Sequence, residues 1–178
     1  MTRPMLITLA LLLTFPFLSG AVCLYPYLGT VVVIWMIYGL GFNLLLGYAG
    51  LPSFGHGAFF GIGAYSYGLC FRHVSESTLV ALAGAGLAGG IGAALVACFV
   101  AHRRGIYFAL MTIACGQVFW FVAGKWHSLT GGEDGLLDLG ARLTLAGHAF
   151  DLRDNVTLYY FVVTVLALVV VLLWRLVH

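Results

Sequence analysis

The sequence has very little charge. Charged residues make up 8% of its 178 positions, with eight basic and six acidic side chains, whereas 62% of the residues are hydrophobic. Soluble domains carry about 25% charged residues, and the mean hydropathy here is +1.06, so the composition argues against a water-soluble globule. The formal net charge of +2 is too small and too dispersed to indicate nucleic-acid binding.

The sequence also lacks the motifs of catalysis and metal binding. Its four cysteines lie in apolar runs without CxxC spacing, which predicts packing residues rather than a metal or redox site. No GxSxG, HExxH, Walker A loop or pair of buried carboxylates occurs. We therefore predict no catalytic residue, no metal and no cofactor, and any ATP-driven work requires another subunit.

Long apolar runs dominate what is present. Runs of about 20 apolar residues are typical of membrane helices, and the sequence predicts six of them, near residues 5–24, 27–48, 54–71, 79–101, 106–124 and 157–177. The fold class predicted is an all-α polytopic membrane helix bundle, a single transmembrane domain over residues 1–178. The first run also fits a secretory signal peptide, because Arg3 precedes it and small residues follow.

The charges indicate an orientation for these spans. With the N-terminus inside, the cytoplasmic ends carry Arg3, Arg103, Arg104 and Arg175 without acids. The opposite segments mix basic and acidic residues, and short basic-only loops belong in the cytoplasm. This predicts two cytoplasmic termini and an extracytoplasmic loop over residues 125–156.

A glycine-rich stretch interrupts the second and third runs. Residues 41–65 read GFNLLLGYAGLPSFGHGAFFGIGAY. Pro52 cannot donate a backbone hydrogen bond and disfavours helix at the preceding residue, so the sequence predicts a break near residues 51–56. A tight cytoplasmic turn and a partly re-entrant break both fit this pattern.

Polar side chains inside apolar runs are costly in a bilayer, which makes them functional candidates. Together with nearby tyrosines, the candidates for a substrate pathway are Asn43, Tyr48, Ser53, His56, Tyr65, Tyr107, Thr112 and Gln117. An interhelical hydrogen bond explains Asn43 and Gln117 equally well, and Thr112 can bond back to its own helix. Tyrosines at helix ends are more often interface anchors.

His56 follows the break, and Gly55 and Gly57 leave space beside its ring. Its side chain either satisfies backbone groups freed near Pro52 or lines the pathway. A third interpretation, a haem held by His56 and His102, predicts a Soret band in the purified protein.

Two further glycine patterns concern packing and turns. Small residues four apart let membrane helices approach closely, which predicts helix contacts at Gly57, Gly61, Gly86 and Gly90. In the extracytoplasmic loop, glycines around two acids predict a tight turn at Thr130, Gly131, Gly132, Asp134 and Gly135. The acids do not have the spacing of an EF-hand calcium loop.

These residues resemble a known family, from about residue 30 onward. Residues 41–65 look like the first signature of the LivM-type permease subunit of branched-chain amino acid ABC importers. Residues 105–139, GIYFALMTIACGQVFWFVAGKWHSLTGGEDGLLDL, look like its second signature. The matching positions are Asn43, Gly47, Gly50, Ser53, Gly55 and His56 in the first, and Thr130, Gly131, Gly132, Asp134 and Gly135 in the second.

The resemblance implies a bacterial inner-membrane subunit that is not itself an enzyme. It pairs with a homologous permease, two cytoplasmic ATPases and a periplasmic solute-binding protein. Members of the family continue through a basic cytoplasmic segment and further helices, whereas this sequence stops at His178. We therefore expect it to be the N-terminal part of a permease.

The function predicted is import of branched-chain or related amino acids by alternating access. A non-transporting membrane fragment with a structural role, a urea or amide permease of the same scaffold, and a haem-binding oxidoreductase subunit are the alternatives.

Overall fold

The computed structural model describes residues 12, 14–15, 26–103, 105–136, 142–145, 148–152 and 154–177. The backbone there is mainly helical. In chain order, the helices are α1 (Pro26–Asn43), α2 (His56–His73), α3 (Thr78–Val100), α4 (Ile106–Lys125), the short α5 (His127–Thr130) and α6 (Asn155–Val177). A π-helical turn, Leu44–Tyr48, extends α1, and a 3-10 turn, Gly132–Asp134, follows α5.

Four helices in this part of the chain are long and apolar enough to cross a membrane. They are Tyr27–Tyr48, Thr78–Val100, Ile106–Lys125 and Asn155–Val177. Large apolar side chains on them face outward, such as Leu87 at 71% exposure and Trp120 at 73%. A surface of this kind is stable in lipid and not in water, so the chain is an integral membrane protein.

The predicted count of six spans is not confirmed. The third predicted span forms helix α2, but histidines at both ends, Arg72 and several glycines and tyrosines make it less apolar than the four helices above. The first predicted span, residues 5–24, lies largely outside the described residues.

A short hairpin was not part of the all-α prediction. The strands β1 (Arg142–Leu145) and β2 (His148–Asp151) pair in a two-stranded sheet within the predicted extracytoplasmic loop. The all-α prediction is therefore correct for the long apolar segments and incomplete for this loop.

The chain divides into two compact units, and the first comprises residues 1–41 and 151–178. Its core is formed by Val33 of α1 with Tyr159, Val163 and Leu166 of α6. Tyr159 stacks on Phe15 with ring centroids 5.7 Å apart, and its hydroxyl donates to the carbonyl of Leu12 at 2.7 Å. After Ala167, large side chains of α6 such as Leu168, Val171 and Leu172 are exposed, as expected for a lipid-facing helix.

The second unit, residues 42–150, contains α2, α3 and α4. Helix α3 meets α2 through glycines. A Cβ at Gly84 would lie 2.6 Å from Cys70 Sγ, and one at Gly92 would lie 2.9 Å from Ile62 Cδ1. Gly86 and Gly90 occupy another face of α3, where an added Cβ meets nothing within 4 Å. Their predicted role in helix packing stays a prediction.

The two faces of α3 give a matched pair of variants. Gly84→Leu forces a branched side chain against Cys70, and overpacking of this kind costs about 1–3 kcal/mol. Gly86→Leu adds the same side chain into open space. We expect Gly84→Leu to lower the midpoint of thermal unfolding in detergent and Gly86→Leu to leave it unchanged; equal midpoints would contradict the assigned packing face.

Candidate functional site

The predicted break is present between α1 and α2. After the π-helical turn, Gly50 has a positive φ of 66°, and residues 50–53 have no regular secondary structure. Pro52 lies in this segment, where no helical hydrogen bond is required of it. Helix begins again only at His56.

The end of the break docks on α4. The Phe54 backbone N–H donates to Thr112 Oγ1 at 3.2 Å, and that hydroxyl donates to the Ala109 carbonyl at 2.8 Å. Gly55 lies so close that an added Cβ would overlap the Thr112 carbonyl oxygen, and a Cβ at Gly116 would be 3.4 Å from the Gly55 Cα. The backbone of the break therefore packs directly against the backbone of α4.

The docking point lies well inside α4. Thr112 is six residues after Ile106, which begins the helix, so at a rise of 1.5 Å per residue it is about 9 Å along the axis. The break therefore contacts α4 within the helix and not at its end.

Beside the docking point, α2 and α4 enclose a cleft of about 620 Å³. It is lined by Phe54, Gly55, Gly57, Ala58, Gly61, Tyr65, Ile113, Gly116, Gln117, Phe119, Trp120, Phe121, Ala123, Gly124, Lys125, Gly132 and Glu133. Its volume lies in the range of small-molecule sites, about 300–1,000 Å³.

The cleft is lined by aromatic side chains and by glycines that expose the helix backbone. Tyr65 and Phe119 meet edge to face, with centroids 6.5 Å apart, and a Cβ at Gly61 would lie 2.8 Å from Phe119 Cε1. At Gly124 an added Cβ meets nothing within 4 Å, so this glycine opens space rather than filling a contact. The lining suits an apolar group of modest size.

The predicted glycine turn closes one end of the cleft. Thr130 Oγ1 lies 2.6 Å from the Ala123 carbonyl oxygen and 2.8 Å from that of Trp126, which share its proton. The same hydroxyl accepts the Gly132 N–H at 3.3 Å. The threonine thus fastens the turn to the last residues of α4.

The turn requires glycine at two successive positions. Gly131 and Gly132 have φ of 78° and 67°, a region that side chains with a Cβ rarely adopt. A Cβ at Gly131 would overlap the Gly135 carbonyl, and one at Gly132 would overlap the ring of His127. Asp134 is exposed and does not line the cleft.

The eight predicted pathway residues fall into three groups. Tyr65 and Gln117 line the cleft. The second group lies at the break and consists of Ser53 and Thr112, buried at 1% and 3% exposure, and the half-buried His56. The His56 ring begins α2 and is edge-on to Phe42 and Phe59 at 5.9 and 6.1 Å.

The third group lies on exposed surface. Asn43 is exposed at the end of α1 and covers Gly47, where an added Cβ would be 2.7 Å from its Oδ1. Tyr48 and Tyr107 are 65% and 70% exposed.

His102, the second histidine of the haem interpretation, is exposed in the turn after α3. Among the described residues, no cluster of three or more metal-ligating side chains occurs.

Sequence reasoning missed much of the α4 side of the cleft, including Phe119, Trp120, Gly124 and Lys125. Gly116, Gln117, Trp120 and Gly124 recur at intervals of one, three and four residues, which places them on one helix face. A polar residue and two glycines on one face of an apolar helix could have indicated the α4 side of the cleft. Glu133 had no comparable signal, because the turn brings it to the cleft.

These features define an integral membrane protein with a ligand-sized cleft beside a broken helix. A family model described as "branched-chain amino acid transport system / permease component" matches residues 25–178. The chain is 31% identical over 123 residues to the high-affinity branched-chain amino acid transport system permease protein LivM of Salmonella typhimurium and to that of Escherichia coli.

Each of these alignments covers 69% of the chain and 29% of the relative, so the chain matches less than a third of their length. No solved structure matches the chain. The protein belongs to the branched-chain amino acid permease family.

The docking of the break predicts an effect of Thr112. Thr112→Val keeps the shape of the side chain but removes the acceptor for the Phe54 N–H, and an unsatisfied donor costs about 1–3 kcal/mol. Thr112→Ser keeps the hydroxyl. We expect a lower unfolding midpoint in detergent for Thr112→Val than for Thr112→Ser, and the reverse order would contradict the assigned hydrogen bond.

The turn gives a second prediction. Thr130→Val removes the hydroxyl that joins α4 to the turn, and we expect a loss of about 1–3 kcal/mol, together with faster proteolysis of residues 126–136. Asp134→Ala changes an exposed side chain without a described contact, so assembly and stability should stay intact. Equal loss of folded protein in both variants would contradict this distinction.

Proposed function

We propose that the chain is a membrane permease subunit of an ABC importer for branched-chain or related amino acids. Membership of the family and the printed function of the two LivM relatives support this substrate class. The single observation that carries the proposal is the cleft between α2 and α4. Its aromatic and glycine lining suits an aliphatic side chain, because such a chain gains about 25 cal/mol for each Å² removed from water.

The mechanism proposed is alternating access. The break at residues 50–55 lies against α4 beside the cleft, and broken helices beside a binding site are a recurring feature of transporters. A change in how the break docks on α4 would open or close one end of the cleft. ATP binding and hydrolysis in separate subunits would shift the balance between the two states of the cleft, because those subunits would bind the two states with different affinities.

The partners proposed are a homologous permease, two cytoplasmic ATPases and a periplasmic solute-binding protein. The chain carries no Walker A loop, so in this proposal separate subunits supply the ATPase sites. The location proposed is a bacterial inner membrane, with both termini in the cytoplasm. The basic, acid-free ends at Arg103 and Arg175 support this orientation.

ATP-dependent uptake of radiolabelled leucine into membrane vesicles tests the proposal. The chain is co-expressed with its neighbouring permease, ATPase and binding-protein genes. Saturable uptake that requires both ATP and this chain is the expected result. Uptake of urea or a short-chain amide without uptake of leucine would overturn the substrate class, and a Soret band with no uptake would favour the haem interpretation.

Gly124 connects the cleft to transport. Gly124→Leu places a side chain in open space in the cleft without contacting the protein, so it should exclude part of the substrate. We expect leucine uptake to fall at least about tenfold, which corresponds to a loss of about 1.4 kcal/mol of binding free energy. Gly124→Ala adds one methyl group and should retain most uptake. Co-purification of the partner subunits with both variants checks assembly. Wild-type uptake by Gly124→Leu would contradict the assignment of the cleft to the transport pathway.

A further inference from the structure

Two opposite charges line one end of the cleft. Among its described lining residues, Lys125 and Glu133 carry the charge, and the remainder are aromatic, aliphatic, glycine or Gln117. Lys125 is the last residue of α4, and Glu133 lies in the 3-10 turn that follows α5. Both residues are exposed, so their charged groups are accessible to a ligand.

One class of small molecule matches this pair. A free α-amino acid carries an ammonium and a carboxylate on neighbouring atoms at neutral pH. Resting on the function proposed above, we propose that Lys125 binds the α-carboxylate and Glu133 binds the α-ammonium group of the transported amino acid. The aliphatic side chain then points along α4 toward the aromatic walls.

The positions along α4 fit this arrangement. Phe119 and Trp120 lie six and five residues before Lys125, which is about 8–9 Å along the axis at 1.5 Å per residue. The apolar walls therefore lie between one and two helical turns before Lys125, on the side toward which a ligand side chain would extend. Gly124, one residue before the lysine, leaves open space for the ligand to approach the helix.

The turn joins the end of α4 to the segment that carries Glu133. The Thr130 hydroxyl bonds to the Ala123 carbonyl, two residues before Lys125, and to the Trp126 carbonyl, directly after it, and it accepts the Gly132 N–H. The backbone on both sides of the proposed site is therefore connected before a ligand binds, and pre-organisation reduces the entropy lost on binding.

This assignment predicts a specificity that the aromatic walls alone do not give. Leucinamide keeps the ammonium group of leucine but lacks its carboxylate, and isocaproate keeps the carboxylate but lacks the ammonium group. Each leaves one protein charge without its partner, so each should bind the wild-type site more weakly than leucine. Urea, with no charge, should not compete.

The test measures binding of radiolabelled leucine to the permease complex in nanodiscs, with the chain co-purified with its partner permease and ATPase subunits. The solute-binding protein is left out, so its own specificity does not enter. Lys125→Gln and Glu133→Gln should each weaken leucine binding roughly tenfold or more, as for the loss of a hydrogen bond to a charged group. Lys125→Arg keeps the charge and should retain binding.

Competition by the two analogues separates a binding role from a structural one. In Lys125→Gln the preference for leucine over leucinamide should disappear while the preference over isocaproate remains; in Glu133→Gln the pattern should reverse. Asp134→Asn and Arg72→Gln, which alter charges outside the cleft, are the matched controls and should bind as wild type.

Three results would overturn the assignment while wild-type vesicles still import leucine. They are wild-type affinity in both glutamine variants, parallel weakening of leucine and both analogues, and no saturable leucine binding by the wild-type complex. If the wild-type vesicles import no branched-chain amino acid, the proposed function itself fails, which is a separate outcome.

Discussion

The second unit depends on one constraint, that backbone polar groups within a membrane must find partners inside the protein. The break at residues 50–55 interrupts helical hydrogen bonding, and Thr112 accepts one of the N–H groups that the break frees. Gly55 allows the required approach, since any side chain there would overlap the α4 backbone. The start of α2, and with it one wall of the cleft, is fixed by this contact.

Glycine serves opposite purposes on neighbouring helices. At Gly84 and Gly92 the missing side chain lets α3 meet α2 closely, whereas at Gly124 it leaves space that nothing in the described chain fills. The difference lies in what faces each position and is invisible in the local sequence. A membrane helix can therefore carry a packing surface and a ligand surface built from the same small residue.

The sequence allowed prediction of the long apolar helices, the break and the glycine turn, because each depends on local composition or on backbone rules. It placed Tyr65 and Gln117 as candidates, and the structure brings both to the cleft. Phe119 and Trp120 could not be predicted as cleft residues. Their helix is apolar on all sides, so its sequence does not indicate which face contacts another helix. The count of six spans was not confirmed, since α2 mixes apolar residues with glycines, tyrosines and terminal histidines.

Glu133 could not be placed from sequence because its position depends on the left-handed backbone of Gly131 and Gly132 and on the hydrogen bonds of Thr130. Those bonds have a mechanical consequence. A turn fastened to the carbonyls at the end of α4 moves with that helix. If the break rearranges, the cleft wall formed by α2 shifts, whereas the backbone that carries Lys125 and Glu133 moves as one piece with α4.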